Sequence, residues 1–122
     1  METNKGNIVM EKAFKFALNI IVIYKILVTT KKEYVLSKQL LRSGTAIGAL
    51  IKEAEHAQSK ADFLNKMNIA LKEANETEYW LQLLKHSKEI DEKEAETYLI
   101  ANVELIRLLA SIVKSTKSSL GR

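Results

Sequence analysis

Apolar residues recur along almost the whole chain at alternating intervals of four and three, the spacing that aligns side chains on one face of an α-helix. In the first segment Val9, Ala13, Phe16, Ile20, Ile23 and Leu27 form such a seam, and Thr29, Thr30, Lys31 and Lys32 end it with β-branched and polar residues. A second seam runs through Leu36, Leu40, Ser43, Ile47, Leu50, Ala54 and Ala57. Ser59 followed by Asp62 has the form of a capping signal and opens a third, made of Phe63, Met67, Ala70, Ala74, Thr77, Leu81 and Leu84. Asp91 with Glu94 repeats the signal, Ile90 is placed to staple against Ala95, and Leu99, Asn102, Ile106, Leu109 and Val113 follow. The pattern predicts helices over about 8–29, 33–57, 60–86 and 92–117. At about 1.5 Å per residue these are roughly 35 to 40 Å long, and their short connections predict one all-α domain over residues 1–122, an up-down-up-down antiparallel four-helix bundle.

A second apolar stripe lies beside the seam on three of the helices. It consists of Phe14, Ala17, Ile21, Tyr24 and Val28 on the first, Leu41, Gly44, Gly48 and Ile51 on the second, and Tyr98, Ala101, Leu105, Leu108 and Ile112 on the fourth. One such stripe would simply widen the core-facing sector. Three of them exceed what a lone bundle buries and predict self-association. Glycine inside a helix costs about 1 kcal/mol relative to alanine, so Gly44 and Gly48 need a compensating close approach. A helix from another copy could supply it, or a bulky neighbour such as Trp80 or Phe63 within the same bundle.

Composition narrows the chemistry. The 122 residues are 47% hydrophobic and 28% charged, with four glycines and no proline, which favours uninterrupted helix. Cysteine is absent, excluding disulfides, thiolate metal sites and a cysteine nucleophile. The polar stretch from Met1 to Asn7 lacks the pattern of a secretory signal, and the apolar run from Phe16 to Val28 is too short to span a bilayer and is broken by Asn19 and Lys25. A cytoplasmic protein with no membrane contact is expected. Glu53 and His56 have the E-x-x-H spacing of di-iron bundles, but those need a second copy and two further inward acids, and His56 points away from the seam. His86 lies near a helix end, where it can meet terminal carbonyls. No nucleophile has a base to activate it, and Gly44-x-x-x-Gly48 lies within a helix, where it cannot cradle phosphate. The expectation is a protein without catalysis, metal or cofactor.

The second and third helices carry a more specific signature. It comprises Leu40-Leu41-Arg42-Ser43-Gly44-Thr45-Ala46-Ile47-Gly48-Ala49, Glu53-Ala54, Ser59-Lys60-Ala61-Asp62-Phe63, and Ile69-Ala70-Leu71-Lys72-Glu73-Ala74-Asn75-Glu76-Thr77-Glu78-Tyr79-Trp80-Leu81. In these residues the chain resembles the four-helix bundle family first noted in intervening sequences of bacterial 23S rRNA genes, which includes accessory proteins of diversity-generating retroelements. The resemblance, weaker at both ends, implies an up-down bundle assembled as a homopentamer, without enzymatic activity and with a role in binding nucleic acid. Ala46 and Leu50 stand where the family usually has Ser and Asn, and the usual Gly after the third helix is missing near His86 and Ser87.

An antiparallel pair closing near Ser59 sets Arg42 level with Glu76 and Glu53 nearly level with Lys66. Arg42 is thus placed to pair with Glu76 or Glu78 through its planar fork, the alternative being that all three are solvated. The formal charge of +4 is concentrated in residues 1–32, which hold six Lys against two Glu. Bundle topology gathers Lys5, Lys12, Lys15, Lys52, Lys60, Lys66, Lys114, Lys117 and Arg122 toward one pole, opposed by Glu2, Glu11, Glu53, Glu55 and Asp62. Tyr79 and Trp80, beside Glu76 and Glu78, read as packing residues, because acids repel phosphate. Two functions follow from different classes. One is an oligomer that binds nucleic acid, RNA before DNA, through the pole repeated around a ring. The other is a scaffold that holds a protein partner, with lysines serving solubility.

Overall fold

The computed structural model describes the backbone of residues 2–122 and the side chains from residue 7 onward. It contains four helices, α1 (Glu2–Thr29), α2 (Leu36–Ala54), α3 (Lys60–His86) and α4 (Glu92–Ser119), and no strand among the described residues. Each helix packs on two neighbours in a square, α1 on α2, α2 on α3, α3 on α4 and α4 on α1, with the α1–α4 seam the thinnest. No helix among the described residues is long and apolar enough to cross a membrane.

The seam of α1 is buried throughout, from Val9 to Leu27. Across the bundle it meets Leu40 and Ile47 of α2, Met67, Leu81 and Leu84 of α3, and Leu105 and Leu109 of α4. On α3 Leu64 takes the inner position expected of Phe63, which is only partly buried. Polar residues on the inner faces find partners, apart from the side-chain oxygen of Asn102. The Ser43 and Thr77 hydroxyls are hydrogen-bonded at 2.8 Å between α2 and α3, and the Asn102 amide donates to the Ala74 carbonyl at 3.0 Å between α4 and α3.

Helix ends follow from capping. The Ser59 hydroxyl accepts from the Asp62 N–H at 3.0 Å, and the Asp91 carboxylate accepts from the Glu94 N–H at 3.3 Å. Four boundaries differ from the periodicity, the first being the start of α1, at Glu2 rather than 8. Helix α2 starts at Leu36 rather than 33, because the Glu33 carboxylate turns back to accept from the N–H groups of Ser37 at 2.7 Å and Leu36 at 3.0 Å. Its end tightens at Ala54, where the His56 and Ala57 N–H groups reach back only three residues. Helix α4 runs on to Ser119. Helix α3 closes with Lys88 in the left-handed region, φ 66°, and with paired bonds from the Glu89 N–H to the Leu84 carbonyl and the Lys88 N–H to the Lys85 carbonyl. That is a Schellman end with Lys where Gly is usual.

Candidate functional site: the basic pole and the apolar ridge

The pole holds the start of α1 and α3 and the ends of α2 and α4. Three of its acids have local partners: Lys66 holds Glu53 at 3.1 Å, Lys52 approaches Glu55 at 3.7 Å, and Asp62 accepts from the Gln58 N–H at 3.2 Å, while Glu11 is exposed. The Lys60 ammonium donates to the Ser119 hydroxyl at 2.5 Å, tying the start of α3 to the end of α4. Lys114, Lys117 and Arg122 are exposed and have no carboxylate partner among the described residues. Lys12 is bound to Glu104 of α4 at 3.2 Å and, with Lys15, lies about 15 to 20 Å along α1 from Glu2. The side chain of Lys5 is outside the described residues. Of the nine basic residues gathered by topology, Lys60, Lys114, Lys117 and Arg122 lie toward the joined ends of α3 and α4, Lys12, Lys52 and Lys66 are paired with acids, and Lys15 is exposed farther along α1.

The apolar stripes are redistributed in the same way. Gly44, Gly48, Ile51, Leu105 and Ile112 are buried within the bundle, so on α2 and α4 the stripe widens the core. Ile21, Tyr24, Val28, Leu41, Tyr98 and Leu108 are half-buried. Both glycines face α1. A Cβ at Gly44 would lie 3.0 Å from Ile20, and one at Gly48 would lie 3.7 Å from Ala13 and Met10, so the helix the glycines admit is α1 rather than Trp80 or Phe63. What remains open on α1 is a ridge of Phe14, Leu18, Val22 and Ile26, with Phe14 62% exposed. The sequence reading found Phe14 and missed the other three. Their signal was the unbroken interval of four, which spirals around the helix instead of following the seam.

Arg42 spreads its fork over two carboxylates of α3, Glu73 at 3.1 Å and Glu76. Glu76 also accepts from the Trp80 indole N–H at 3.1 Å. The Arg42 hydrogen bond lowers the Glu76 pKa, and the Glu76 carboxylate raises that of Arg42. Glu78, the alternative partner, lines a groove between α3 and α4 with Gln82, Glu96, Ile100 and Arg107. Glu73 was not foreseen, although it sits one helical turn from Glu76.

A family model described as 23S rRNA-intervening sequence protein matches residues 5–111. Among solved structures, the chain is similar to a protein with unknown function from the S23 ribosomal protein family of Bacteroides thetaiotaomicron VPI-5482. The two are 55% identical and superpose with a TM-score of 0.89, over 90% of this chain and 98% of the other. No curated protein matches the chain significantly.

Proposed function

Given that this chain belongs to the family of 23S rRNA-intervening sequence proteins, we propose that it is a non-enzymatic homo-oligomer of the cytoplasm that binds the backbone of nucleic acid, structured RNA before DNA, through its basic pole. The observation that carries this reading is the disposition of charge at the pole. Glu53, Glu55 and Asp62 are engaged locally, while Lys114, Lys117 and Arg122 are exposed at and beyond the last turns of α4, whose end is tied to Lys60. Such a tip offers charge without a shaped pocket, which suits phosphates and does not read sequence. The ridge on α1 supports assembly, since contiguous exposed apolar surface is rarely left to water. Assembly into the ring of five that the resemblance implies would repeat the tip and multiply its field.

The test is binding of an RNA hairpin across a salt series, with the unaltered chain and with Lys114, Lys117 and Arg122 changed to Gln. The expected result is log affinity falling linearly with log salt, with a slope shallower by roughly 0.7 to 0.9 for each phosphate contact removed. Absence of RNA or DNA binding at low salt overturns the proposal. A co-purifying protein whose binding ignores the three substitutions would make the scaffold reading the better one.

A further inference from the structure

The outward face of α3 does not look like an ordinary solvated helix face. Asn65, Asn68, Lys72, Asn75 and Tyr79 recur at intervals of three and four, all exposed, and Gln82 and His86 continue the line. The chain has 15 acidic residues, yet none falls on this line. Solvated helix faces are usually built from Glu and Lys, which are good helix formers and pair at intervals of four. The outer face of α4 has that character, with exposed Glu92, Lys93, Glu96, Glu104 and Arg107. Asn is a poorer choice in a helix interior because its amide competes with the backbone, as Asn75 does by donating to the Leu71 carbonyl at 3.0 Å. A ligand that uses the amides supplies the compensation the isolated helix lacks.

The acids nearest the line are turned aside. Glu73 and Glu76 are held toward α2 by Arg42, and Glu78 turns into the α3–α4 groove. Tyr79 is 58% exposed and is set edge-on against Trp80, with ring centroids 5.1 Å apart and planes inclined at 62°. It is an anchored aromatic at the surface, and the acid one turn before it, Glu76, has its carboxylate engaged by Arg42 and the Trp80 indole N–H, with Lys72 also close enough to lower its pKa. The line begins at Asn65, about one and a half turns beyond Lys60, which is tied to the end of α4, and from Asn65 to Tyr79 it rises about 21 Å.

We propose that this face of α3 is a second contact surface that takes the unpaired bases and sugars of a single-stranded nucleic acid held at the pole by its phosphates. Amides and the Lys72 ammonium offer donors and acceptors to base edges and ribose, and Tyr79 offers a stacking platform. The proposal rests on the pole reading above and extends it from backbone contact to unpaired segments.

The test uses the full chain with Asn68→Ala, Asn75→Ala and Tyr79→Ala combined, changes that favour helix, with a thermal melt to verify the fold. Probes are an oligouridylate and an oligothymidylate of about ten nucleotides and an RNA hairpin with no unpaired tail. The expected result is about tenfold weaker single-strand binding with an unchanged salt slope, and hairpin binding as before. Emission of Trp80, the one tryptophan, should be quenched by the oligouridylate in the unaltered chain and not in the variant. Loss confined to the uridylate assigns RNA as the ligand, and loss confined to the thymidylate assigns DNA. Single-strand binding equal to that of the unaltered chain overturns the α3 surface and leaves the pole standing. Failure of the unaltered chain to bind any probe overturns both.

Discussion

A methyl group added at Gly44 would sit 3.0 and 3.1 Å from the two γ carbons of Ile20, a fully buried side chain that would have to shift to admit it. The same group at Gly48 meets only ordinary contacts at 3.7 Å. The two glycines, alike in sequence, should therefore respond with opposite signs. Gly48→Ala should stabilise by up to ~1 kcal/mol, because alanine restores helix propensity. Gly44→Ala should destabilise by about 1 to 2 kcal/mol, because forcing Ile20 aside in a packed core outweighs the same gain. Chemical denaturation of both variants checks the pair, and stabilisation by Gly44→Ala would show that α1 and α2 do not approach as closely as described. The sequence announced that a close approach existed here. It could not say which helix made it, since Gly44 and Gly48 carry no information about their neighbour.

At the scale of the element, periodicity located every helix, and capping decided its ends where a side chain was free to act. Ser59 and Asp91 cap locally, within three residues, so they were legible in the sequence. Glu33 was read as helix, because a carboxylate three or four residues ahead of a helix looks the same whether it continues the turn or caps it. For Glu33, burial alone would raise the pKa, but the N–H groups of Leu36, Ser37 and Val35 together outweigh it and hold the pKa lowered. A lowered carboxylate pKa contributes stability above its ordinary value, and that contribution is lost as pH falls through the lowered one. Thermal stability should thus be steady near neutral pH and fall below about pH 4.3. Glu33→Ala should lose ~1 kcal/mol at neutral pH and show a shallower acid decline. An acid decline identical to that of the unaltered chain would remove Glu33 as its source. The Arg42 cluster shows a similar division. Antiparallel register set Arg42 level with Glu76, whereas the second arm of the fork found Glu73 because Arg42 spans one turn of α3.

The whole molecule decides what remains at the surface. Phe14, Leu18, Val22 and Ile26 stay exposed because α1 has neighbours on two sides only, and its outward corner faces none. If this ridge drives assembly, Leu18→Glu with Val22→Glu should weaken association at least tenfold while helix content is kept, since each buried apolar side chain is worth roughly 1.5 to 3 kcal/mol. Sedimentation should then shift from an assembly toward the 13.8 kDa monomer. An assembly indifferent to both changes, or a monomer from the start, would deny the ridge that role. The pole is likewise a property of the fold, as Lys60 and Ser119 are remote in sequence and meet because α3 starts where α4 ends. By itself the sequence determined the helical class, the number of helices, most positions of the four seams and half of the helix ends, because these depend on neighbours within a turn or two, whereas Leu64, Ile51 and Leu105 took the inner places expected of Phe63, Leu50 and Ile106. Tertiary structure decided which stripes widen the core, which lysines are neutralised and which helix the glycines admit. Those outcomes depend on groups brought together from distant positions, and only packing specifies the partner.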